Sequence, residues 1–152
     1  MKKIVVSGPN NSGKSTTIRA LVSSLVSSER ISDIIFLKIG KQIFSSISPA
    51  LAEEQVNQGH DFVGVFKCSG HLVGITSFGD SMACLNEAFA IFNQHSCEFC
   101  VFACRTNESD TYKATIAMPD ILAILFKAPV PITAWQMINN EIFIQKITVL
   151  LP

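Results

Sequence analysis

Apolar residues recur along this chain in two rhythms. Between Lys2 and Ser7 a β-branched run, Ile4-Val5-Val6, stops at a glycine; from Ile18 the apolar positions step to Leu21, Val22, Leu25 and Val26, the spacing of one helix face. A second strand is predicted over Asp33 to Lys38, where Ile34, Ile35, Phe36 and Leu37 lie together before Gly40. Ser48 followed by Pro49 supplies an N-cap and a first helical position, and Glu53 and Glu54 lie near the positive end of a helix that Gly59 stops, so Pro49 to Gln58 reads as helical. Phe62 to Phe66 and Leu72 to Ser77 are β-like runs on either side of Lys67-Cys68-Ser69-Gly70-His71, which predicts an antiparallel hairpin. Asp80 and Ser81 can cap a helix to about His95, with Met82, Leu85, Phe89 and Phe92 on one stripe, and Glu98 to Cys104 follows as a strand.

After a polar loop, Arg105 to Asp110, the pattern predicts a helical stretch that breaks at Pro119 and resumes through Ile121, Leu122, Leu125 and Phe126. Val130 to Met137 reads as a last strand. Asn139 or Asn140 can cap a terminal helix carrying Phe143, Ile147 and Leu150, although Ile144, Thr148 and Val149 equally suit a strand. Strands alternating with helices predict an α/β fold in a single domain over 1–152: a mostly parallel sheet with helices on both faces and the hairpin as an insertion. Such sheets bind ligands at the carboxyl ends of their strands, the edge where a loop beginning at Gly8 belongs.

Composition narrows the function. Apolar residues form 48% of the chain and charged residues 16%, which suits strands buried on two sides and leaves apolar surface for a subunit contact, a two-fold dimer by default. Lysine plus arginine and aspartate plus glutamate each total 12, so no basic field supports nucleic-acid binding. The apolar start is too short for a signal peptide, and Ile116 to Trp135 is interrupted by Pro119, Asp120, Lys127, Pro129 and Pro131, which argues against a membrane span. A cytoplasmic location is expected, and with it five reduced thiols, Cys68, Cys84, Cys97, Cys100 and Cys104.

The candidate chemistry is Gly8-Pro9-Asn10-Asn11-Ser12-Gly13-Lys14-Ser15, which matches G-x-x-x-x-G-K-[ST] between a strand and a helix. A glycine-bearing loop can turn its amides inward while the following helix points its positive end at the same place, which is what a polyphosphate needs. Here the chain resembles the P-loop NTPases through their Walker A motif, over about Ile4 to Val26, and the wording GPNNSGKST is most similar to the loops of ABC-type and related ATPases. There is no LSGGQ-like signature and no Asn-Lys-x-Asp motif, and Arg19, Arg30 and Arg105 are the whole arginine complement available for a kinase-type lid. The resemblance implies a P-loop NTPase-like fold and a magnesium–ATP ligand, or another nucleoside triphosphate. Lys14 would neutralise the β- and γ-phosphates, Ser15 would give its hydroxyl to Mg²⁺, and Thr16 would reach the α-phosphate.

It also implies an acidic residue after a strand beside the loop. Asp80 matches best, following Leu72 to Ser77, as a second metal-side and catalytic group if that strand neighbours the first; a helix N-cap role can coexist. Glu53, Glu54 and Asp61 are alternatives. Arg105 and Thr106 end a strand and so face the same edge, where an arginine can contact phosphate or remain solvated. Thr76 and Ser77 can order a water or simply end a strand. Cys97, Cys100 and Cys104 have a metal-like spacing, but in a strand Cys97 and Cys100 point to opposite faces, so they read as buried apolar groups. His60 and His71 fall in turns, and Trp135 reads as a core-edge residue. Two functions follow: a small magnesium-dependent ATPase or phosphotransferase, or a nucleotide-dependent switch that needs a protein partner, with Gly40 to Ser48 as its mobile segment.

Overall fold

A computed structural model describes residues 1–106, 110–129 and 133–152. Among these residues the chain forms seven strands and five helices: β1 (Lys2–Gly8), α1 (Lys14–Ser27), β2 (Ile31–Ile39), β3 (Gln42–Phe44), α2 (Pro49–Val56), β4 (Phe62–Cys68), β5 (His71–Thr76), α3 (Met82–Gln94), β6 (Phe99–Arg105), α4 (Asp110–Ile116), β7 (Ile121–Phe126) and α5 (Thr133–Leu150). All strands join one sheet in the order β3-β2-β4-β5-β6-β1-β7. The α/β expectation is met; the mostly parallel sheet is not. β5, β6, β1 and β7 run parallel, whereas β4, β2 and β3 add on by antiparallel pairing, so the sheet is mixed. The physical reason is the hairpin. β4 and β5 are joined through Ser69 and Gly70, both at positive φ, a turn too short for any parallel crossover, and β2 then pairs antiparallel with β4.

Two apolar clusters lie on opposite faces. Ile4 and Val6 of β1 pack with Ile18, Leu21, Val22 and Leu25 of α1 and with Phe143 and Ile147 of α5, while Val5 faces Leu85, Ala88 and Phe92 of α3. Alternate residues of one strand thus feed both layers, which is why β1 reads as an unbroken apolar run. Each fully buried aliphatic side chain of α1 contributes about 1.5–3 kcal/mol relative to exposure.

The C-terminal third departs from the expectation. Residues 121–126 form a strand rather than a resumed helix: Asp120 takes φ 61°, which ends helical geometry, and Lys3 to Ser7 of β1 offer an open edge that β7 fills in parallel. A short apolar run fits either period, and the available edge decides. The strand expected over 130–137 is replaced from Thr133 by α5; its first three positions, like 107–109 of the preceding loop, lie outside the described residues. Asn139 and Asn140 consequently sit inside α5 rather than capping it. Trp135, expected at a core edge, is 59% exposed. No helix among the described residues is long and apolar enough to cross a membrane.

Candidate functional site

Because β1, β6, β5 and β7 are parallel, the residues that end them meet at one edge. Gly8 lies opposite Arg105 in register, Ser7 lies opposite Phe126, and Lys127 N–H donates to the Ser7 carbonyl. The edge opens into a cavity of about 580 Å³ lined by residues 10–16, Asp80, Arg105 and Lys127, with Gln136, Asn139 and Asn140 of α5 on its rim.

The loop itself leads into an uncapped helix. Gly13 adopts φ 79° and no side chain caps α1, whereas Ser48 and Ser81 cap α2 and α3 by accepting from Leu51 N–H and Cys84 N–H. The first backbone bond that closes the helix is Thr17 N–H to the Gly13 carbonyl, so the amides of residues 14–16 precede the helical ladder, while Ser12 N–H donates to the Pro9 carbonyl at 3.4 Å. Lys14 is 7% exposed and its Nζ donates to the Pro9 carbonyl at 2.8 Å, folding the side chain back over the loop. Burial lowers its pKa, partly offset by the Asp80 carboxylate. Ser12 Oγ is buried without a hydrogen-bond partner. Gly8 lies beneath the loop, where a Cβ would stand 2.4 Å from the Lys127 carbonyl oxygen. Ser15 Oγ is 3.4 Å from the Ser77 carbonyl, and Thr16 is exposed on the cavity wall.

Asp80 reaches the site by a route other than the one expected. β5 does not neighbour β1; β6 stands between them, which puts the two strands about 10 Å apart. Asp80 bridges the gap from the loop after β5, and Arg105 Nε donates to its Oδ1 at 2.9 Å. That bond holds the carboxyl below its usual range and raises the guanidinium. The cap of α3 is Ser81, so Asp80 has no capping duty. Asp61 is engaged elsewhere: its Oδ1 accepts from Ser77 Oγ at 2.9 Å and lies 3.5 Å from Arg19. Glu53 and Glu54 are on α2 and do not line the cavity. Gly40 to Ser48 includes β3, five strand spacings from β1, or about 24 Å, so it does not border the loop.

Lys127 was not anticipated. It follows β7 directly, is 3% exposed, and its Nζ donates to Thr17 Oγ1 and Asn140 Oδ1 under the glycine loop, 5.5 Å from the Phe143 ring centre. Burial, and secondarily the charge of Lys14, lower its pKa to about 8. A lysine immediately after an apolar run was the available signal, masked by reading that run as helix.

The cysteines remain unbridged thiols, and Cys97, Cys100 and Cys104 share one apolar cluster. Cys97 precedes β6, so strand alternation does not place it opposite Cys100. Burial raises Cys97 to about 11 and Cys100 to about 12, as for apolar packing groups. Among the described residues no three His, Cys, Asp or Glu side chains gather as a metal site. The Ser15 hydroxyl and the Asp80 carboxylate, hard oxygen donors of the kind magnesium takes, both line the cavity. Comparison with protein-family models, curated proteins and solved structures finds no match for the chain.

Proposed function

We propose that this chain binds a nucleoside triphosphate, ATP by the wording of its loop, together with magnesium, and transfers the γ-phosphoryl group to water or a small acceptor. One observation carries the reading. In a protein with formal net charge +0, three cations, Lys14, Arg105 and Lys127, and one carboxylate, Asp80, line the cavity at the uncapped start of α1. The excess positive charge and the first-turn amides that no helical carbonyl takes call for a polyanion at that place.

In this mechanism the loop amides hold the β-phosphate, and Lys14 leaves the Pro9 carbonyl to neutralise the β- and γ-oxygens. Ser15 and Asp80 would hold the magnesium, which when bound would offset charge on the phosphates. Asp80 also orients the attacking hydroxyl; the γ-phosphorus gains its oxygen as the bond to the β-bridging oxygen breaks, and the hydroxyl proton passes to an oxygen of the transferred phosphoryl group. Arg105, released from Asp80, stabilises charge on the transferred group. Lys14→Ala is expected to weaken ATP binding at least tenfold by calorimetry while leaving the thermal transition of the free protein within a few degrees. Equal binding by both proteins would remove the claim.

A second reading, a switch with little turnover until a partner docks, is favoured by the Asp80–Arg105 pair, which occupies the carboxylate the reaction needs. Gly40 to Ser48, at the far edge of the sheet from β1, takes no part in it. Phosphate release that stays near background in the isolated protein, yet rises in Arg105→Ala, supports this reading; unchanged release in that variant counts against it.

A further inference from the structure

α5 is apolar on nearly every side yet covered on one. Phe143 and Ile147 are 7% and 0% exposed where the helix meets α1, whereas Trp135, Ile138, Ile142 and Val149 are 59%, 48%, 44% and 83% exposed. A helix apolar all round belongs in an interior, and a contiguous exposed stripe of this kind marks a contact surface. Of the outward positions, Met137, 63% exposed, lies to one side, while Trp135, Ile138, Ile142, Gln145 and Val149 follow one another at intervals of three, four, three and four residues. That is the seam of two supercoiled helices, and the inward Phe143 and Ile147 fall on the opposite side of the same repeat.

We infer that two copies of this chain associate through α5, the helices side by side and parallel. The occupant and its direction come from the residues that flank and interrupt the stripe. Glu141 and Lys146 are exposed, five residues apart on the two borders of the seam. In a parallel pair each Glu141 faces Lys146 of the other copy; in an antiparallel pair like charges meet. Gln145 makes the same choice. Parallel helices bring the two Gln145 amides together, where each satisfies the other, and antiparallel helices would press the amide against Ile138 or Ile142. A partner of unrelated sequence would have to supply a matching cation, anion and amide at the same intervals, whereas a second copy supplies all three.

Sedimentation equilibrium is expected to give a dimer in the micromolar range for the full chain, and a monomer for the double variant Ile138→Glu with Ile142→Glu, with its helical circular dichroism kept because both positions face water. Glu141→Lys and Lys146→Glu, at exposed positions that do not threaten folding, are each expected to raise the dimer dissociation constant about tenfold, and their combination to restore it. In a Cys84→Ser background, Val149→Cys is expected to cross-link to itself under oxidised glutathione. A monomeric wild type, a dimer that survives the double glutamate variant, charge reversals without effect, or a Val149→Cys chain that cross-links only when mixed with Trp135→Cys would overturn the inference.

Discussion

At the scale of single residues, the cavity places two lysines where only one was readable. Lys14 belongs to the loop motif; Lys127 belongs to it only through space. The lowered pKa of Lys127, about 8 against an ordinary 10.5, has two consequences of opposite sign. In the free protein the folded state disfavours the ammonium, so between pH 8 and 10.5 the unfolded chain carries more protons and stability rises with pH. Urea midpoints are expected to climb across that window, and Lys127→Met to abolish the Lys127 part of the slope. Phosphate binding runs the other way. A polyanion over Lys127 favours its charged form, so affinity for ATP is expected to fall as pH rises through 8, with proton uptake on binding. Calorimetry in buffers of different ionisation heat measures that uptake, which Lys127→Met is expected to lose.

At the scale of elements, the two residues that open α3 divide the labour. Ser81 Oγ accepts from Cys84 N–H at 3.3 Å, while Asp80 turns to Arg105. Ser81→Ala is therefore expected to cost about 1 kcal/mol in chemical denaturation. Asp80→Asn, which loses only an exposed ion pair, is expected to cost less than about 1 kcal/mol while lowering phosphate turnover more than nucleotide binding. This division also marks what the sequence made legible. β1, α1, the β4–β5 hairpin and α3 were readable because punctuation and periodicity agree: Gly8, Ser48-Pro49, Ser69-Gly70 and Ser81 stand where the apolar rhythm changes. β7 and the first turns of α5 were not: a six-residue apolar run has no distinguishing period, and the terminal helix through Phe143, Ile147 and Leu150, which was readable, begins at Thr133 rather than at Asn139 or Asn140. The loop could be read as one local string. The approach of Arg105 and Lys127 could not, since it depends on which strands flank β1, and pairing order is not written in any one segment.

At the scale of the whole molecule, the mixed sheet sets the loop near one side, with β7 alone beyond β1. Among the described residues only one long side of β7 is paired, and Leu122, Ile124 and Phe126 are 43%, 39% and 60% exposed. No charge interrupts Ile121–Phe126 to repel another such strand. Heating is expected to produce light scattering before helical signal is lost, and Ile124→Lys to raise the onset temperature of scattering at a cost of no more than about 1 kcal/mol in stability. The same ribbon delivers Lys127 beneath the glycine turn. Because Lys127 also lines the cavity, fusion of these margins is expected to deform that cavity well ahead of the melting of the interior.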